Sequence, residues 1–242
     1  MEVLICSDAA SLSPQQVQAM GCAMPRQRRA RWARCTHTGS ARAMVAGYWL
    51  VQHGLTEHAR TQQGTGEPDA AAGSIGREWR IGRAGKPSCP AGPHFSLAHT
   101  VDLQVCAIAE EPVGVDAERI VPEVLDALGV VMHADEMSRI DTQPDPAAAG
   151  TRLWTAKEAL IKRDGRGLGD AQLPQYDLSD DAVAAQVASR SLLRHWISVA
   201  VSTGTSAAGA AQALDSLTHV PAAALAAAAD NQAHDLRKEH TA

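Results

Sequence analysis

The chain has no apolar run approaching the ~20 residues that a membrane-spanning helix requires, which excludes an integral helical membrane protein. Its start, MEVLICSDAASLSPQQ, lacks the basic flank and long apolar stretch of a signal peptide, so a cytoplasmic location is expected. Aromatic residues make up only 3% of the 242 positions, and 46 positions are alanine. The 45% hydrophobic fraction therefore overstates the core, which is expected to be shallow and rich in helix. The five cysteines, Cys6, Cys22, Cys35, Cys89 and Cys106, form no C-x-x-C pair and are odd in number. That pattern suits neither a disulfide framework nor a zinc ribbon and agrees with a reducing compartment. Lysine is scarce as well: 18 arginines stand against four lysines, Lys86, Lys157, Lys162 and Lys238.

What is present has local structure. A formal net charge of -5 argues against a general polyanion binder, and no nucleic-acid partner is expected. Yet Arg26, Arg28, Arg29, Arg31 and Arg34 crowd one segment without an acidic residue, which leaves local phosphate binding open. Three of the four lysines lie in two short stretches, GKP at Gly85 and WTAKEALIK at Trp154. In a chain that otherwise prefers arginine, those positions suit a compact ammonium rather than a planar fork.

Residues 14 to 55 read as helices, with Pro14 in a first turn after Ser13, and the polar stretch from Thr56 to Gly76 reads as a loop. Strands are predicted at WRI from Trp79, FSLAH from Phe95, VDLQVCAIA from Val101, VGVDAE from Val113 and HWISVAV from His195. Helices are predicted over 121–140 and from about Thr151 to Asp164, the second following a TQPDPAAAG loop and closed by Gly165. The alanine-rich last ~35 residues read as a peripheral helix or a loose tail. This order is compatible with two similar halves, 1–112 and 113–242.

In VGVDAE, alternation sends Val113, Val115 and Ala117 to one face and Gly114, Asp116 and Glu118 to the other. Two adjacent carboxylates repel unless a cation or proton lies between them. A D-x-E on a strand is nevertheless an ordinary solvated face more often than a metal site. Glu158 and Lys162, four residues apart on one helix, form either an ordinary surface pair or the third carboxylate and the ammonium of a phosphate-handling centre. Spacing does not choose between these. His99, at the end of FSLAH, suits either a structural role or a phosphate contact.

Taken together and in order, GKP at 85–87, FSLAHT at 95–100, VGVDAE at 113–118 and WTAKEALIKRDGRGL at 154–168 resemble the motif set of the Sfp-type 4'-phosphopantetheinyl transferases. The resemblance implies an α+β fold of two similar subdomains, a pseudo-dimer with the cofactor cleft between them, so that a monomer suffices. It implies Mg²⁺ ligands at Asp116, Glu118 and Glu158, and coenzyme A phosphates held by Lys86, His99 and Lys162. Arg28, Arg31 and Arg42 would assist from the N-terminal half, with Thr100 closing the FSLAHT segment. Glu136 falls where the family often has a glutamate near the site. Two positions depart from the family's F-N-x-S-H-S pattern beyond the final threonine: Ser96 replaces Asn, and Ala98 removes a hydroxyl that commonly touches a phosphate.

The implied reaction is Mg²⁺-dependent transfer of the 4'-phosphopantetheine arm of coenzyme A to a serine of an acyl or peptidyl carrier protein, as in polyketide or nonribosomal peptide biosynthesis. Adenosine 3',5'-bisphosphate would be released, with Glu158 as general base and Lys162 stabilising charge on the phosphates. The rival readings are a Mg²⁺-dependent hydrolase acting on a pyrophosphate, with water attacking, and a non-catalytic binder of coenzyme A or carrier proteins.

Overall fold

A computed structural model describes residues 1–63, 79–82, 85–89, 92–167, 176–202 and 207–239. The expected loop positions Gly64, Gly66, Pro68 and Gly73, and Leu168 of the last motif, lie outside these described residues.

The chain opens with β1 (Glu2–Cys6), α1 (Pro14–Ala23), α2 (Arg26–Trp32) and the long α3 (Thr38–Gln63). Ser13 begins α1 with a reciprocal cap: Gln16 N–H donates to its hydroxyl while its own N–H donates to the Gln16 side chain. Two short strands follow, β2 (Arg80–Ile81) and β3 (Pro87–Ser88), then β4 (His94–His99), β5 (Gln104–Ala109) and β6 (Val113–Arg119). Next come α4 (Val124–Val131), α5 (Ala134–Asp141), α6 (Pro146–Asp164) and α7 (Asp181–Ala184). The last elements are β7 (Val187–Leu192), β8 (His195–Val201), α8 (Ala207–Asp215), β9 (Thr218–His219) and α9 (Ala222–Glu239). The α+β expectation is met, and among the described residues no helix is long and apolar enough to cross a membrane.

Two sheets pack face to face. The first has strand order β4-β5-β1-β9, antiparallel except for the β1–β9 pair, and the second is antiparallel with order β6-β8-β7. Strand alternation distributes the core. Leu4, Cys106 and Ile108 point toward Met20, Trp49, Leu50 and Leu225 of the covering helices. Val3, Ile5, Val105 and Ala107 point the other way, onto Val113, Val115, Ala117, Ile197 and Val199 of the second sheet. The far side of that sheet is covered by α6 through Ala159, Leu160 and Ile161, which pack on Ala200.

Several boundaries differ from the sequence expectations. β1 and β7 were not foreseen. α3 continues through Thr56 to Gln63, where a loop was expected, because His58 near its end faces Glu2 at 3.3 Å and Glu110 at 2.9 Å. α6 begins at Pro146 instead of Thr151: Asp145 caps it by accepting from Ala148 N–H, and proline fits the first helical position. The C-terminal tail is an ordered helix. Ala222, Leu225, Ala226 and Ala229 of α9 join the core around Trp49, and β9 joins the first sheet. Residues 218–239 therefore lie against the N-terminal half in space.

Candidate active site

The period-two pattern of β6 holds in three dimensions: with Val113, Val115 and Ala117 in the inter-sheet core, Gly114, Asp116 and Glu118 face α6. Gly114 is required there because a Cβ would stand 1.9 Å from the Ala159 carbonyl oxygen. The backbone of α6 consequently rests directly on the strand, which brings Glu158 and Lys162 to the carboxylates. Lys162 Nζ donates to Asp116 Oδ1 at 2.6 Å. Asp116 is only 3% exposed, and its other oxygen, Oδ2, is buried without a hydrogen-bond partner among the described residues.

The charges in this centre are coupled. Burial, reinforced by the Asp116 charge and opposed by Lys162, pushes the Glu118 carboxyl up to about 7. Glu158, 6% exposed, is likewise pushed up to about 7 by burial and then by Asp116, with Lys162 opposing and Glu118 adding. Burial works against the Lys162 ammonium, but Asp116, Glu158 and Glu118 together hold its pKa above the usual lysine value. Lys162 is thus a fixed cation. Among the described residues no three His, Cys, Asp or Glu side chains are gathered at ligand distances for a metal. The donor set is nevertheless that of a hard cation, with three mutually repelling carboxylates and one unpartnered buried oxygen.

The N-terminal half supplies the other wall. His99 ends β4, and burial together with the charges of Lys162 and Arg31 lowers its pKa while Asp116 opposes; its imidazole therefore lies within electrostatic reach of both halves. Arg28, Arg31 and His99 line one cavity, with Arg28 lying 4.6 Å over the Trp79 ring. Ser96 adds a polar link between the two sheets: its hydroxyl accepts from Val115 N–H at 3.0 Å. That position suits serine as a link between sheets.

Other candidates have partners elsewhere. Lys86 Nζ donates to the carbonyls of Val113 (3.1 Å) and Arg163 (2.9 Å), tying the GKP segment to the end of α6. Burial lowers its pKa to about 8. The Thr100 hydroxyl lies in the β4–β5 turn, donating to Asp102 Oδ1 at 2.9 Å and facing His195 Nε2 at 3.2 Å. Arg42 is half-buried on α3 with Nε unpartnered among the described residues, and it does not line the Arg28–Arg31–His99 cavity. Ala98 is 2% exposed and sits in the inter-sheet core with Val105 and Val115. Glu136 is paired with fully buried Lys157 at 2.6 Å and caps His133 N–H. Sequence reasoning missed this pair, although a lysine in a lysine-poor chain was its signal. It also missed Tyr48 and Trp79 beside the arginines.

Fold and site define an α+β protein in which a carboxylate–lysine centre on one sheet faces a basic cavity of the other half. Residues 112–214 match the 4'-phosphopantetheinyl transferase superfamily. A 4'-phosphopantetheinyl transferase of Bacillus subtilis is 29% identical over 161 residues, 65% of this chain and 67% of that protein. The transferase Sfp of Bacillus subtilis strain 168 is 33% identical over 91 residues, and psf-1 of Bacillus pumilus is 39% identical over 77. These two matches span 39% and 33% of the relatives' lengths and 35% and 31% of this chain. Over residues 112–214 the chain is thus similar to the 4'-phosphopantetheinyl transferase superfamily.

Proposed function

We propose that this protein transfers the 4'-phosphopantetheine arm of coenzyme A to a serine hydroxyl of an acyl or peptidyl carrier protein, releasing adenosine 3',5'-bisphosphate. The observation that carries the reading is the Asp116–Lys162 pair, with Glu118 and Glu158 coupled to it and His99 and Arg31 within reach from the other half. The superfamily match and the transferase names of the relatives support the same reaction.

In this reading Arg28, Arg31 and His99 hold phosphate oxygens of coenzyme A, and Asp116, Glu118 and Glu158 hold Mg²⁺. When bound, Mg²⁺ neutralises pyrophosphate charge and polarises the phosphorus under attack. Lys162, kept protonated by Asp116, donates to an oxygen that gains charge as the phosphoryl bond to the leaving group breaks. Glu158 takes the serine proton, as a carboxylate within reach of the reacting hydroxyl can. The serine oxygen then bonds to the β-phosphorus, and the bond from that phosphorus to the bridging oxygen breaks. Both walls come from one chain, so the proposed working form is a monomer. An odd number of cysteines with no C-x-x-C pair fits a reducing, cytoplasmic setting. In keeping with the motif resemblance, the proposed setting is polyketide or nonribosomal peptide biosynthesis.

The test is incubation with coenzyme A and Mg²⁺, with and without apo carrier protein. Release of adenosine 3',5'-bisphosphate only when the carrier is present supports the transferase. Equal release without carrier identifies a hydrolase instead.

A further inference from the structure

The cavity shared by Arg28, Arg31 and His99 has a feature that the carboxylate centre lacks. Its polar lining among the described residues consists of those three side chains together with Tyr48 and Trp79; methionine, leucine and alanine side chains make up the rest. No carboxylate or amide side chain is included. Each of these five polar side chains can donate a hydrogen bond, so their complement is an acceptor-rich anion.

Two of these donors are unsatisfied. Tyr48 is only 2% exposed, and its hydroxyl has no partner among the described residues. The Trp79 indole Nε1 is also buried without one. Buried donors without partners are rare because each loses its hydration with no return, so two in one cavity call for a ligand. Neither ring is free to turn away. Tyr48 packs 4.9 Å from Trp79, Trp79 packs 5.0 Å from Phe95, and the Arg28 guanidinium covers the Trp79 face. Burial raises the Tyr48 phenol well above its usual range, against the pull of Arg28, so it stays a protonated donor.

We infer that the Tyr48 hydroxyl and the Trp79 indole N–H are ligand-contacting donors that complete, with Arg28, Arg31 and His99, a binding pocket for a phosphate ester. That the ester belongs to coenzyme A rests on the proposed transferase reading. The pocket is free of carboxylate side chains among the described residues: two guanidiniums provide charge, and the two neutral donors on the aromatic stack fix where the phosphate oxygens sit. Tyr48 comes from α3 and Trp79 precedes β2, so binding also pins the segment leading to GKP against the helical layer.

The experiment uses the full-length protein, its Tyr48→Phe and Trp79→Phe variants, calorimetric titration with coenzyme A, and thermal melts without ligand. Tyr48→Phe removes one oxygen and no ring, and is expected to weaken coenzyme A binding about tenfold, as loss of one hydrogen bond to a charged group does. Its ligand-free melting temperature should hold or rise, because an unpartnered buried hydroxyl is removed. Trp79→Phe should weaken binding by a similar factor. Unchanged affinity in both variants would overturn the inference, as would a lowered ligand-free melt with unchanged affinity, which would mark the hydroxyl as structural. If the wild-type protein does not bind coenzyme A, the transferase reading fails. The pocket is then decided by titration with inorganic pyrophosphate: weaker binding in Tyr48→Phe than in wild type upholds it, and equal or absent binding overturns it.

Discussion

Lys162 reaches across from α6 to Asp116 on β6, Nζ to Oδ1 at 2.6 Å, and leaves Asp116 Oδ2 buried without a partner among the described residues. One carboxylate oxygen is thus committed to a cation of the chain itself, and the other is open to a ligand. Asp116→Asn separates the two roles. The amide oxygen keeps an acceptor for Lys162, while the amide nitrogen at the other position cannot accept. The fold should persist by circular dichroism, and transfer should drop on the order of 10³ or more, comparable to losing a preorganised charge-stabilising group. Turnover within tenfold of wild type at saturating Mg²⁺ would contradict the proposed role.

Glu158→Gln preserves shape and one oxygen but cannot take a proton. Calorimetry should show coenzyme A binding retained while single-turnover transfer is lost. If binding is lost with it, Glu158 acts chiefly as a ligand. Glu136 is a poor substitute base, because its carboxylate is held by Lys157 within the core.

The raised Glu118 and Glu158 pKa values dictate a pH dependence. Both carboxyls hold their protons more tightly folded than unfolded, so the stability they contribute is present at low pH and is lost as pH climbs from about 4.5 to about 7. The metal-free melting temperature should therefore fall across that window. Added Mg²⁺ should restore more of it above the window than below, since a cation competes with those protons. A Mg²⁺-induced shift that does not change with pH would contradict the coupling.

Ala98→Ser tests whether the hydroxyl missing from the FSLAHT segment can be put back. Because Ala98 is buried between the sheets, on the opposite face of β4 from His99, the serine should not tighten coenzyme A binding. It should lower stability by about 1–3 kcal/mol, the cost of burying an unpaired hydroxyl. A lower Kd for coenzyme A would refute this placement.

Gly114→Ala should be far more damaging than its size suggests. The new methyl would meet the backbone of α6 at Ala159 and Arg163, not a side chain that could move aside. Loss of soluble protein, or of transfer with Lys162 shifted from Asp116, is expected, and wild-type melting and activity would contradict it.

The central strand of the site was legible because its signal is local: alternation in VGVDAE places Asp116 and Glu118 together whatever surrounds them. α6 was legible in type but not in start, since Asp145-Pro146 reads equally as a turn or as a cap followed by a first helical residue. EVLIC is too short, and its VLIC run too free of alternation, to declare itself a strand without β5 and β9 beside it. The Tyr48–Trp79 contact joins residues 31 apart through tertiary packing and leaves no periodic trace. Lys86 stood out by its scarcity, but its partners are backbone carbonyls, which carry no sequence signature.

The central claim is covalent transfer, and intact mass spectrometry of the carrier protein measures it most directly. Apo carrier incubated with this protein, coenzyme A and Mg²⁺ should gain the mass of one phosphopantetheine, while a carrier whose acceptor serine is replaced by alanine should gain nothing. An unmodified wild-type carrier under conditions where the protein binds both coenzyme A and the carrier would contradict the account.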